Sequence, residues 1–265
     1  MKRMDARRLP WPHRRVWALQ AAARLLIVTA ILVSAALPAH AYRVEPMSLE
    51  LESAGRGAQG SFRVINDGTE PVAIEIRLAA RSLAEDGTET LSPVGDQFIL
   101  FPAQMILRPG QSQAVRVQWK ADANISREQN FRIITEQLPV NLQREREGGA
   151  QIGITLRYQG TLYVRPARAK PAVAVESARV EPAPGGGSQL ALVLANNGTR
   201  HAILGTDLEV SVRAGNQNIS LAGEKTGSLL GANLLAGNKR RFVVPLPATL
   251  PPGTATVTLD YETMY

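Results

Sequence analysis

The chain contains no cysteine. Disulfides, thiol nucleophiles and thiolate metal sites are therefore excluded, and stability must come from packing. Histidine is nearly as scarce: of three, His13 and His40 lie in the first 41 residues, leaving only His201. One histidine cannot make a histidine metal cluster, and a Ser-His-Asp triad would have to be centred on it. It follows the turn-like Gly198-Thr199 and reads as a solvated turn histidine. Aromatic residues are only 5% of the chain, with Trp119 the sole tryptophan after residue 41, which argues against a carbohydrate-binding module. Glu145 and Glu147 sit among arginines and read as a solvated charge run, so nothing specific suggests a paired-acid glycosidase site. The glycine-rich Pro182–Ser188 segment lacks the Lys-Ser/Thr of a phosphate-binding loop. These absences predict no catalytic residue, no metal and no cofactor.

An excess of charge is also missing once the chain is divided. Residues 1–41 read as an export signal: a basic stretch (Lys2, Arg3, Arg7, Arg8, Arg14, Arg15, Arg24), an apolar stretch from Leu25 to Leu37, and Pro38-Ala39-His40-Ala41 before a mature start at Tyr42. The apolar stretch is short for a membrane span, although an uncleaved anchor is the other reading. Seven of the 30 Lys and Arg and one of the 23 Asp and Glu fall in this segment, leaving 23 against 22 in the following 224 residues. The net charge of +7 thus becomes about +1, which removes the electrostatic basis for nucleic-acid binding.

What is present is turn chemistry between alternating apolar runs, and it occurs twice. Val64-Ile65-Asn66-Asp67-Gly68-Thr69 leads into Val72-Ala73-Ile74, and Leu194-Ala195-Asn196-Asn197-Gly198-Thr199 leads into Ala202-Ile203-Leu204, at an offset of 130. Leu107-Arg108-Pro109-Gly110 with Val115 and Val117 is matched by Leu234-Leu235-Ala236-Gly237 with Phe242 and Val244, at an offset of 127. Either turn-rich segments resemble one another by chance, or the chain holds two copies of one domain. Val72, Ile74, Ile76 and Leu78 alternate with Ala73, Glu75, Arg77 and Ala79, and Val115, Val117 and Trp119 with Arg116, Gln118 and Lys120. Half-buried strands of this kind, punctuated by Gly, Pro and Asn, predict an all-β fold of two Ig-like antiparallel β-sandwich domains. The expected division is 42–165, a short stiff elbow at 166–171, and 172–265.

One run exceeds the needs of a domain. Ile152, Ile154, Leu156, Tyr158, Leu162 and Val164 share one parity from Ala150 to Val164, with Gln151, Gly153, Thr155, Arg157 and Thr161 on the other. Typical strands have five or six residues. A longer alternating strand is either an aggregation liability or a means of pairing with another chain. A polar segment, Asn141 to Glu147, precedes it, and it ends at Arg165-Pro166.

Within and before this run lie Phe101-Pro102, Leu107-Arg108-Pro109-Gly110, Val115-Arg116-Val117, Arg127-Glu128 leading to Phe131, Glu136-Gln137-Leu138-Pro139, and Leu162-Tyr163-Val164-Arg165-Pro166. With the export segment, two Ig-like units and an elbow, these stretches resemble the periplasmic pilus chaperones of chaperone–usher systems. The resemblance spans essentially all of the chain after residue 41, most specifically Asp96 to Pro166. It implies a chaperone that lends a strand to an incomplete pilus subunit, by donor-strand complementation, and delivers it to an outer-membrane usher. The donated residues would be Ile152, Ile154 and Leu156, each burying roughly 1.5–3 kcal/mol of side chain. It further implies an interdomain ion network of Glu128, Arg165 and Asp260.

The chain departs from the family at the anchor for the subunit's terminal carboxylate. The family's Arg and Lys positions are occupied here by Ser48 (or Met47) and Thr161. If Glu128 faces Arg165 in an antiparallel pair, Arg132 faces Thr161 and can supply the cation, with Arg43 and Arg157 as alternatives. This departure suggests a nonclassical branch. The five residues after Asp260 suggest a second domain shorter than that of familiar members. The expected partners are pilus subunits and an usher in the periplasm, with self-association through the long strand as a further expectation. The competing reading is an Ig-like pilus structural subunit or surface adhesin, in which a donor segment belongs at the mature N-terminus instead of inside the chain.

Overall fold

The computed structural model describes residues 42–139, 155–247 and 250–260. Residues 1–41, read above as an export signal, and Ile152 and Ile154 lie outside the described residues. Strands β1 (Tyr42–Glu45), β2 (Ser48–Glu52), β3 (Gln59–Asn66), β4 (Val72–Leu83), β5 (Glu89–Pro93), β6 (Phe98–Phe101), β7 (Gln104–Leu107), β8 (Ser112–Trp119), β9 (Gln129–Gln137) and β10 (Arg157–Arg165) form the first sandwich. One layer has the order β1-β3-β8-β6 and the other β2-β10-β9-β4-β5, with β7 also on β4. All pairs are antiparallel except β2 with β10, because the chain crosses from one layer to the other between β1 and β2.

The second sandwich comprises β11 (Val173–Pro182), β12 (Ser188–Asn196), β13 (Ala202–Ile203), β14 (Glu209–Ala214), β15 (Gln217–Ala222), β16 (Asn233–Leu234), β17 (Lys239–Pro245), β18 (Gly253–Thr254) and β19 (Thr256–Asp260). Its sheets are ordered β17-β12-β11-β18 and β15-β14-β19, with β13-β16 as a separate pair. The fold is thus two Ig-like sandwiches, as the strand patterns predict.

Each sandwich closes over its own apolar cluster. The first contains Phe62, Val64, Ile74, Ile76, Val115, Val117, Phe131, Leu162 and Val164, and the second Leu190, Leu192, Leu194, Val210, Val212, Phe242 and Val244. Period-two alternation puts these residues inward while Arg63, Arg116 and Arg77 point to water. On β4 the opposite face is not fully wet: Ala73 and Ala79 are buried as well, which their small side chains permit. Phe98 packs edge-on against Trp119 and Phe131 at centroid distances of 5.1 and 4.8 Å and closes the first core at one end.

The internal repeat is realised atom for atom. Asn66 and Asn196 are both fully buried. Asn66 Nδ2 donates to the carbonyls of Glu70 (2.8 Å) and Leu107 (3.0 Å), and its Oδ1 accepts from the Gly68 amide at 2.9 Å. Asn196 Nδ2 donates to Arg200 (2.7 Å) and Leu234 (3.0 Å), and its Oδ1 accepts from Gly198 at 3.0 Å. Every partner obeys the offsets of 130 and 127 seen in the sequence. Gly110 and Gly237 close the equivalent turns at φ of 72° and 75°, donating to the Asn66 and Asn196 carbonyls at 2.8 Å. Only glycine takes this left-handed geometry without strain. The facing pairs Phe62–Val115 and Leu192–Phe242 are likewise equivalent.

Between the sandwiches, the elbow is held by the second copy of this turn. Thr199 and Arg200 amides donate to the Lys170 carbonyl, Asn197 to Ala172, and the Ala172 amide to Asn196 Oδ1. A Cβ on Gly198 would fall 2.4 Å from the Lys170 carbonyl oxygen, so the turn and the elbow approach too closely for any other residue.

Candidate functional site

Strand β10 is paired unequally on its two sides. Against β9 it runs antiparallel from Arg157 to Val164, whereas β2 accompanies it only from Thr161 to Arg165. Arg157–Gly160 therefore present an edge with no partner strand among the described residues. β2 begins where that edge ends, with the Thr161 amide donating to the Met47 carbonyl at 2.8 Å. Gly160 is required there, since a Cβ would lie 2.9 Å from the same oxygen.

Leu156, the one described member of the expected donated trio, is half-buried against the first core. Its carbonyl accepts from the Gln137 amide at 2.9 Å and from the Tyr42 hydroxyl at 3.3 Å. Tyr42 is buried and bonds Thr135 as well, and burial raises its pKa. Its ring meets Tyr158 edge-on at 4.9 Å. These contacts place the parity of Leu156, Tyr158, Leu162 and Val164 on the core side of the strand.

The three residues considered for the carboxylate anchor form one row across three adjacent strands. Ser48 lies beside Thr161 in the parallel pair, and Thr161 beside Arg132 in the antiparallel pair. Arg132 Nη1 donates to Thr161 Oγ1 at 2.8 Å. Its other edge grips a carboxylate: Nε to Glu89 Oε1 at 3.0 Å and Nη2 to Oε2 at 2.7 Å. Arg81 Nε reaches the same carboxylate at 2.6 Å. The hydrogen bond from Arg132 is the largest influence on Glu89 and, with Arg81, outweighs desolvation to lower its pKa. Because the folded value is the depressed one, this pairing stabilises the protein above the ordinary glutamate range and is lost as pH falls through the lowered value. Arg240 of β17 lies nearby; burial, followed by the charge of Arg81, lowers its pKa.

Glu128, Arg165 and Asp260, expected to form one interdomain network, each have other neighbours. Glu128 is buried and accepts from the His201 backbone amide at 3.2 Å, with both carboxylate oxygens 2.9 Å from His201 Nδ1. Arg165 instead meets Glu50 and Glu52, each at 3.3 Å, and Glu50 is held by Arg200 at 2.8 and 2.9 Å. Asp260 stands opposite Glu209 in β14.

The reading of His201 as a solvated turn residue is overturned: it is 1% exposed. Its turn position is correct, but the first sandwich covers that turn. Tyr163 stacks on the imidazole at 3.8 Å and 9°, and the Tyr163 hydroxyl accepts from Asn233 Nδ2 at 2.6 Å. The signal for this lay in Tyr163 itself, an aromatic on the solvent parity of a strand bordering the elbow. Glu128→Ala is expected to leave both sandwiches folded but loosen their mutual orientation. Residual dipolar couplings of the two halves, described by one alignment tensor in the wild type, should need two in the variant; a single shared tensor would refute this.

Residues 44–170 match the family model described as pili and flagellar-assembly chaperone, PapD N-terminal domain. Over these residues the chain carries the N-terminal domain of the pilus chaperones. No curated protein sequence matches the chain. Among solved structures, the fold is similar to the CsuC–CsuE chaperone–tip adhesion subunit pre-assembly complex of archaic Csu pili from Acinetobacter baumannii. That match has 14% identity and a TM-score of 0.50, covering 76% of this chain and 89% of the other. It is also similar to the class 5 fimbriae chaperone CfaA, at 13% identity and a TM-score of 0.52, covering 84% of this chain and all (100%) of that one. A chaperone–tip adhesin complex of CFA/I fimbriae biogenesis matches at 14% identity and TM-score 0.52, covering 83% and 98%.

Proposed function

We propose that this protein is a periplasmic chaperone, acting as a binding protein and not an enzyme, that caps pilus subunits by donor-strand complementation and passes them to an outer-membrane usher. The observation that carries this reading is the open edge of β10. A strand added there parallel to β10 would be collinear with β2, and its C-terminal end would stop at Ser48. The terminal carboxylate would then stand beside Thr161 and within reach of the Arg132 guanidinium. Main-chain bonds along Arg157–Gly160 supply affinity, and Ile152 and Ile154 supply the side chains that enter the subunit's groove, with Leu156, half-buried on the first core, at the border between groove and core. The match of residues 44–170 to the pilus chaperone N-terminal domain supports the same reading, as does the pre-assembly complex formed by the similar CsuC. No nucleotide or other cofactor is needed, because the free energy of subunit folding is conserved in the complex until exchange. The same edge supports self-association of the chaperone when no subunit is bound.

The test is co-purification from periplasm of cells co-expressing neighbouring small secreted proteins. Intact-mass measurement should find a stoichiometric small partner with the wild type and none with Ile154→Asp, which sets a charge among the donated side chains. Absence of a partner in both, with both proteins folded, would instead support a structural surface role.

A further inference from the structure

Glu89 opens β5 and lies against Arg132 in the two-pronged geometry that a chain-terminal carboxylate would use. Resting on the reading of Arg132 as the anchor, we infer that Glu89 is a resident stand-in for the subunit's carboxylate, occupying the anchor in the free chaperone and yielding it on capture.

Three observations lead there. First, the Arg132 guanidinium is already engaged, with Nε and Nη2 on Glu89 and Nη1 on Thr161. A second carboxylate can take the same edge only if Glu89 leaves it. Second, Glu89 has somewhere to go. Arg81 holds Oε2 independently at 2.6 Å, its side chain is 7% exposed, and its Nη1 is buried with no hydrogen-bond partner among the described residues. Glu89 can therefore release Arg132 and remain charge-compensated by Arg81. Third, the surroundings favour an additional anion. Arg81 and Arg132 both hold Glu89, and the charges of Arg240 and Asp86 lie on the far side, Arg240 close enough to Arg81 to feel it. The Nε of Arg240 is also buried without a partner among the described residues. Burying a donor such as Arg81 Nη1 unpaired is unfavourable, so a second carboxylate at Arg132, by moving Glu89 wholly onto Arg81, relieves it.

The consequence is a carboxylate exchange built into the anchor. Capture replaces one ion pair with an equivalent one, so the net affinity gained from the terminal carboxylate is smaller than an empty guanidinium would give. Release is correspondingly easier, because Glu89 returns to Arg132 as the subunit leaves. A chaperone that must surrender its subunit to a growing fibre benefits from such a competitor.

Acetate serves as the probe, with acetamide as the uncharged control, and the Arg132 Nε–H resonance reports binding. Glu89→Gln removes the competing charge and should bind acetate at least tenfold more tightly than the wild type, with no response to acetamide. Glu89→Asp keeps the charge on an arm too short to span both positions and should show a smaller gain in the same direction. It decides the matter if the glutamine variant does not fold. Acetate affinity no greater in a folded variant than in the wild type would overturn the inference. Failure of the anchor reading itself appears separately, as undiminished subunit capture by Arg132→Ala.

Discussion

Arg132→Ala should weaken subunit binding by roughly 30- to 1,000-fold, the effect of about 2–4 kcal/mol for removing one partner of a hydrogen-bonded charge pair at a desolvated contact. Isothermal calorimetry with a purified subunit reads this directly. The chaperone itself should stay folded, for two reasons found in the site. The Arg132 side chain is 18% exposed and supports no part of either core. Glu89, its present partner, retains the Arg81 contact at 2.6 Å and is not left as an isolated buried charge. Thermal unfolding should therefore shift by only a few degrees, whereas binding collapses. Unchanged binding would exclude Arg132 as the anchor and turn attention to Arg43 or Arg157. A loss of fold comparable to the loss of binding would mean that Arg132 is structural.

The second large effect concerns stability and is specific to one sandwich at a time. Asn66→Ala removes two donations to carbonyls and the acceptor for the Gly68 amide, all at a fully buried position. Each buried group left without a partner costs about 1–3 kcal/mol, so a total near 3–5 kcal/mol is expected. Asn196→Ala should cost at least as much, since it removes three equivalent bonds and also the acceptor for the Ala172 amide. Differential scanning calorimetry should show the first variant lowering the transition of the first sandwich and the second variant that of the other. Asparagine to aspartate provides a sharper version: the Gly68 bond survives, but a carboxylate faces two carbonyl oxygens. It should be no milder than alanine. A cost below about 1 kcal/mol for either alanine variant would show that water replaces the side chain within the turn.

Several parts of this architecture are legible in the sequence alone. Asn66 and Asn196 could be matched because the same turn chemistry recurs between apolar runs, and identical local chemistry reproduces identical bonds. Period two in Val115, Val117 and Trp119 named the buried face of β8, because strand alternation is a local property of the backbone. Even the β9 neighbour of Thr161, Arg132, was calculable, since an antiparallel ladder keeps the sum of paired residue numbers constant. Other features were not legible. Tyr163 belongs to the water-facing parity of β10 and is buried only because the second sandwich lies over it. Glu89 and Arg81 carry no pattern of their own, and β5 is too short and mixed to announce a role.

By itself, then, the sequence determined the local grammar: where strands alternate, where asparagine and glycine turn them, how β9 and β10 pair, and that chemistry dependent on thiols or clustered histidines is impossible. All of these follow from interactions over a few residues or from a fixed ladder. Tertiary structure alone decided which charges meet. Glu128 lies on His201 and Arg200 on Glu50, pairs made by the docking of one sandwich on the other, and Glu89 lies on Arg132 within one sheet, across the intervening β4. Long side chains on exposed faces can reach several partners, and only the relative placement of their strands selects one.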